Sequence, residues 1–125
     1  MATIKSFTDL KQSKRLAEIL PLESADMKIL PFNKREYRIV PINDIAVCNK
    51  EDEIYAWSLA ALLNIIPKHI KNCNVLRTDI SEKDFSIWYD EVGYGVNDKL
   101  PDITMECPID ACVKMILKLK ELKLI

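Results

Sequence analysis

The chain has 125 residues, 49% hydrophobic and 30% charged, which is ordinary globular usage and excludes a disordered or fibrous polypeptide. Its 18 Lys and Arg stand against 19 Asp and Glu, so the basic excess that supports dedicated nucleic-acid binding is missing. With Gly93 and Gly95 as its only glycines, the chain has neither a GxGxxG nor a GxxxxGK phosphate loop.

The N-terminal MATIKSFTDLKQSKR has no apolar core segment and no small-residue cleavage pattern, so no secretory signal is expected there. Ser6 and Asp9 make a Ser-x-x-Asp start. Leu10, Leu16, Ala17, Ile19 and Leu20 then recur near helical spacing, which predicts a first helix over 7–20, stopped by Pro21. LESADM, with Glu23, Ser24 and Asp26, reads as a turn or one helical turn. Residues 28–48 read as extended, in KILPF, EYRIVP and DIAVC, with NK as a turn between the first two. Pro31 and Pro41 cannot donate to a sheet ladder, so these strands should be short, bulged or at an edge.

After the polar NKEDE comes the oiliest stretch, AWSLAALLNIIPK over 56–68. It is far short of the roughly 20 residues that span a bilayer. Ser58 as N-cap and Pro67 as stop bound it as a short helix, apolar enough to expect burial on most sides. PKHIKN reads as a basic loop, followed by the strands VLRTDI and FSIWYDEV. In the second of these, the two-residue period sends Phe85, Ile87 and Tyr89 to one face and Ser86, Trp88 and Asp90 to the other. GYGVND is the best hairpin turn, with a return strand near 100–106 that places Ile103 and Met105 on one face. The last helix runs from Pro108 at its first turn to about residue 123. Asp110 lies near its N-terminus, Cys112, Met115, Ile116, Leu119 and Leu122 form its apolar stripe, and its lysines form the wet side. The expected fold is α+β: one domain over 1–125, a small antiparallel β-sheet with about three helices packed on it in two layers.

QSKRLAEILPLESADM, AWSLAALLNIIP and CPIDACVKMILKLKELKLI, in this order and spacing, resemble a family of short uncharacterised proteins of gut Bacteroidetes genomes and their prophages or mobile elements. The likeness spans nearly the whole chain. It implies a bacterial or phage setting and a shared small fold, and it transfers no site to any residue.

Four groups of residues are candidates for chemistry. Cys107 and Cys112 lie about 140° apart around a helix, so they suit neither a redox pair nor a zinc half-site, and all four cysteines are expected as reduced thiols. Asp90, Glu91, Asp98, Asp102 and Glu106 surround the expected hairpin. They would hold a divalent metal only if they converged on one pocket. Lys34, Arg35 and Arg38 with Tyr37, and Lys68, His69 and Lys71, are the basic groups that would contact phosphates. Trp88, facing outward beside Tyr94, is the candidate interface anchor.

The function expected is therefore a non-enzymatic, cytoplasmic interaction domain. It would bind a protein partner or a second copy as a homodimer through Trp88 and Tyr94, with no catalytic residue, metal or other cofactor. Neither nucleic acid nor membrane is the expected partner. The alternatives are a small metal-dependent hydrolase or nuclease using the acidic cluster, and a nucleic-acid accessory protein of a mobile element.

Overall fold

The structure, a computed structural model, describes residues 5–31, 36–43, 53–70, 74–91 and 100–125. Among them the order is α1 (Leu10–Ile19), a 3-10 turn (Leu22–Ser24), β1 (Met27–Pro31), β2 (Tyr37–Pro41) and β3 (Ile54–Ala56). It continues with α2 (Leu59–Ile65), β4 (His69–Ile70), β5 (Asn74–Ile80), β6 (Phe85–Glu91), β7 (Ile103–Met105) and α3 (Pro108–Glu121). The fold is α+β with antiparallel pairing throughout. The strands divide between two sheets, of order β2-β1-β3 and β4-β5-β6-β7.

Local chemistry sets the helix ends. Asp9, not Ser6, caps α1. Its carboxylate accepts the Gln12 N–H at 2.8 Å while Gln12 Oε1 accepts the Asp9 N–H at 3.1 Å, a complete capping box. The helix starts later than residue 7 because the preceding backbone is used elsewhere: Phe7 bridges to Ser58 and the Thr8 N–H donates to the Trp57 carbonyl. Ser58 caps α2 by accepting the Ala61 N–H at 3.2 Å, and α2 ends before Pro67 as its sequence requires. The burial of α2 is more one-sided than its composition suggests. Leu62 and, just beyond the helix, Ile66 are buried, whereas Ala60 and Asn64 are exposed. HI in the basic loop forms the short strand β4 instead, paired with β5.

Both prolines of the first sheet stand at strand ends. Pro41 closes the edge strand β2. Pro31 closes the central strand β1 beyond the reach of β3, which pairs only with Met27 to Ile29, so its missing N–H leaves no ladder bond unmade.

The core gathers around α3. Ile109, Ala111, Cys112, Val113, Met115, Ile116 and Leu119 are all buried on it. They meet Phe85 and Ile87 of β6, Ile103 of β7, Leu62 of α2 and Ile66 at its C-cap, and Leu16 of α1. Each Val, Leu, Ile, Phe or Met side chain among them contributes about 1.5–3 kcal/mol when fully buried. Leu122, expected in the stripe, is instead the C-cap and is half exposed. No described helix is long and apolar enough to cross a membrane.

One buried polar knot joins the start of α1, the 3-10 turn and the β3–α2 connection. The Thr8 N–H donates to the Trp57 carbonyl at 2.9 Å, and the Trp57 N–H donates to Thr8 Oγ1 at 3.0 Å. Thr8 Oγ1 also pairs with Ser13 Oγ at 2.8 Å, and the Trp57 indole N–H donates to Ser24 Oγ at 3.0 Å. Next in the chain, the Ser58 N–H and hydroxyl both donate to the Asp26 carboxylate. Thr8, Ser13 and Trp57 are fully buried, so removing one partner strands the others. Thr8→Ala is expected to cost about 1–3 kcal/mol in urea unfolding. Thr8→Ser, which keeps the hydroxyl, is expected to cost only about 0.8 kcal/mol for one methyl group. Equal losses in the two variants would contradict the hydrogen-bonding role.

Candidate functional site

β5 and β6 run in unbroken antiparallel register, with Arg77 opposite Trp88, Thr78 opposite Ile87, Asp79 opposite Ser86 and Ile80 opposite Phe85. Phe85 and Ile87 are buried on the α3 side, so Ser86, Trp88 and Asp90 point outward, as the two-residue period predicts. Arg77 and Asp79 share that outer face by register, as does Thr104 of β7, opposite Ser86.

Asp90 organises this face. Its Oδ1 accepts the Trp88 indole N–H at 2.8 Å and its Oδ2 lies 3.4 Å from Arg77 Nε. Arg77 and Asp90 are diagonal neighbours across the two strands, and Trp88 sits opposite Arg77. The ion pair is about half exposed on both sides, so it contributes at most about 1 kcal/mol and serves to orient the groups. Ser86 and Thr104 share a hydrogen bond of 2.8 Å across the β6–β7 pair. Asp79 has no ion pair among the described residues. Trp88 itself is half-buried. Tyr94, its expected companion, lies outside the described residues.

The other candidate groups do not assemble. Asp90 is held by Arg77 and Trp88. Asp102 and Glu106 flank β7 at opposite ends, about 13 Å apart along an extended chain. Asp98 lies outside the described residues, as does the side chain of Glu91. No group of three His, Cys, Asp or Glu among the described residues is placed to hold a metal ion. Asp102 lines a groove of about 390 Å³ between residues 100–103 and α3, beside Lys114, Lys118 and Leu122. Cys107 and Cys112 are both buried free thiols, and burial, reinforced by neighbouring Cys107, pushes the Cys112 thiol up to about 12, so it stays protonated at neutral pH. Cys48 and Cys73 lie outside the described residues. The basic residues divide between the sheets: Tyr37 and Arg38 are on β2 of the three-stranded sheet, and His69 is on β4 of the other. Lys34, Arg35 and Lys71 lie outside the described residues.

No family model matches the chain, and neither a curated protein nor a solved structure is found similar to it. Its function must be argued from its own surface.

The sequence reading missed the parts played by Arg77 and Asp90 around Trp88. The signal was present in SEKD, a turn whose Ser81 and Asp84 bond each other through N–H, carbonyl and hydroxyl groups. Counting outward from that turn puts Arg77 opposite Trp88.

The inner face holds one group with a distinct titration. The Tyr89 hydroxyl donates to the Pro67 carbonyl at 2.7 Å, and burial pushes its phenol up to about 12. Because the folded value is raised, the stabilisation is complete below the ordinary value of 10 and is lost as the pH rises through about 12. Ultraviolet titration of the native protein should show one phenol ionising near 12, absent from Tyr89→Phe. Ionisation at the ordinary value would contradict the burial.

Proposed function

We propose that this chain is a small interaction domain of a bacterial or phage cytoplasm, one that contacts a protein partner or a second copy of itself through the outer face of the four-stranded sheet. The observation that carries this reading is Trp88, a large aromatic ring on the face turned away from α3. Its indole N–H is already satisfied by Asp90 in the same strand. A partner can therefore cover the ring without stranding a buried donor, which removes the main cost of using tryptophan as an anchor. Arg77 and Asp90 flank it with oriented charge, and Ser86 and Thr104 form a polar margin. That layout, an aromatic centre with a polar rim, is the one protein contact surfaces favour.

The metal-dependent and nucleic-acid alternatives have no observation of comparable weight in their favour, since neither the acidic nor the basic groups converge among the described residues.

Trp88→Ala is expected to weaken partner binding or self-association by about thirtyfold or more, the scale of an interface hot spot. It should cost about 1 kcal/mol of folding stability, for the part of the ring already buried, and leave the variant folded. Sedimentation velocity and affinity capture with wild-type and variant baits check the first, and urea unfolding checks the second. A wild type that neither self-associates nor retains a protein lost by the variant would overturn the reading.

A further inference from the structure

Only Glu106 and Cys107 join β7 to α3, and the two elements pack together. The chain therefore folds back, and residues 100–103 lie along the C-terminal half of the helix. The groove between them, about 390 Å³, falls within the range of small-molecule sites, about 300–1,000 Å³. It lies on the α3 side of the sheet, away from the Trp88 face. Leu100, Pro101, Ile103 and Leu122 supply its apolar surface. Leu122, the helix C-cap, is 48% exposed there. The charges divide between the two walls. Asp102 stands on the strand side. Lys114, Lys118 and Glu121 stand on the helix side, at the i, i+4, i+7 spacing that shares one helix face. Lys118 lies 3.8 Å from Glu121 and both are more than half exposed, so that ion pair is weak. The side chains of Lys114 and Asp102 have no ion pair among the described residues.

We propose that this groove binds a free α-amino acid with a large apolar side chain. Its carboxylate accepts from Lys114 and Lys118, its ammonium donates to Asp102, and its side chain lies against Leu100, Pro101 and Leu122. The argument is charge complementarity. The two walls carry opposite charges that do not pair with each other, so a ligand bearing both signs close together matches them. A simple carboxylic acid would meet the lysines but bring its apolar body over the Asp102 carboxylate, stripping water from it without a replacement. A simple amine would do the same to Lys114. A zwitterion satisfies both walls, and its charge-assisted hydrogen bonds are the strong kind. Glu121 beside Lys118 disfavours a second carboxylate, so the ligand's side chain is apolar and not acidic. That side chain covers Leu122, which the fold itself leaves half exposed. The site is separate from the Trp88 contact face and does not depend on that reading.

Three probes that differ only in charge test this: L-phenylalanine, its N-acetyl derivative, which keeps only the carboxylate, and its amide, which keeps only the ammonium. Each is titrated into the full chain and followed by the backbone amide shifts of the ¹⁵N-labelled protein. L-phenylalanine should give saturable shifts at Asp102, Ile103, Lys118 and Leu122. The two blocked probes should bind about tenfold or more weakly, since each loses one charge-assisted contact. Asp102→Asn should weaken L-phenylalanine about tenfold and leave the N-acetyl probe unaffected. Lys114→Gln with Lys118→Gln should weaken the N-acetyl probe and leave the amide unaffected. These side chains are exposed, so the variants stay folded, and an unchanged spectrum outside the groove checks that they do. Trp88→Ala should bind L-phenylalanine as wild type does. Wild-type shifts that never saturate, or that fall outside the groove, would overturn the proposal. Equal binding of all three probes would also overturn it, because the apolar surface alone would then account for the contact.

Discussion

The fold depends on the exchange of hydrogen bonds between Thr8 and Trp57. Neither residue belongs to a regular element, yet between them they tie α1, the 3-10 turn and the β3–α2 junction together. Thr8 immediately precedes the α1 cap, and Trp57 lies between β3 and the α2 cap. Their two backbone groups satisfy each other, the threonine hydroxyl reaches Ser13 inside α1, and the indole reaches Ser24 in the 3-10 turn. The three-stranded sheet hands the chain to the four-stranded one at this point. A buried network of this kind stabilises only when every member is satisfied. Here no described buried side-chain nitrogen or oxygen lacks a partner.

The two tryptophans divide the labour of the molecule. Trp57 is fully enclosed, with its indole N–H given to the 3-10 turn, and it binds sheet to helix. Trp88 stands on the other side of the second sheet, with its N–H given to Asp90 in its own strand. The difference follows from the pleat. α3 covers the Phe85, Ile87 and Ile103 face, and alternate residues are turned away from it. A sheet with one helical cover always leaves a second face. In this chain that face carries a tryptophan and an arginine–aspartate pair, in place of the short polar residues that would suffice for solvation.

Much of this was legible in the sequence because periodicity and caps are local. α3 announces itself through Pro108, Asp110 and the stripe from Cys112 to Leu119. The period of two in FSIWYD assigns both faces of β6, and Ser58 and Pro67 bound α2. What was hidden depends on distant partners. Ser6 looked like a cap only because the commitment of Phe7 and Thr8 to the 57–58 backbone is invisible in sequence. The near-uniform oiliness of α2 gave no direction, so its exposed side at Ala60 and Asn64 was not foreseen. The strands divide between two sheets because β3 pairs with β1, a long-range choice that no local pattern encodes. At the candidate site, Trp88 could be read from alternation alone. Arg77 and Asp79 required the β5–β6 register, and Tyr94 belongs to residues the structure leaves undescribed.

The central claim is that one tryptophan locks the fold while the other is spare for contact. Hydrogen exchange at the two indole N–H groups, followed by NMR in the native protein, tests it most directly. The Trp57 indole should exchange only through global unfolding, with a protection that falls with denaturant as the whole-molecule stability does. The Trp88 indole should exchange orders of magnitude faster in the monomer and slow as self-association increases. A Trp57 indole that exchanges through local opening, or as fast as that of Trp88, would contradict the account.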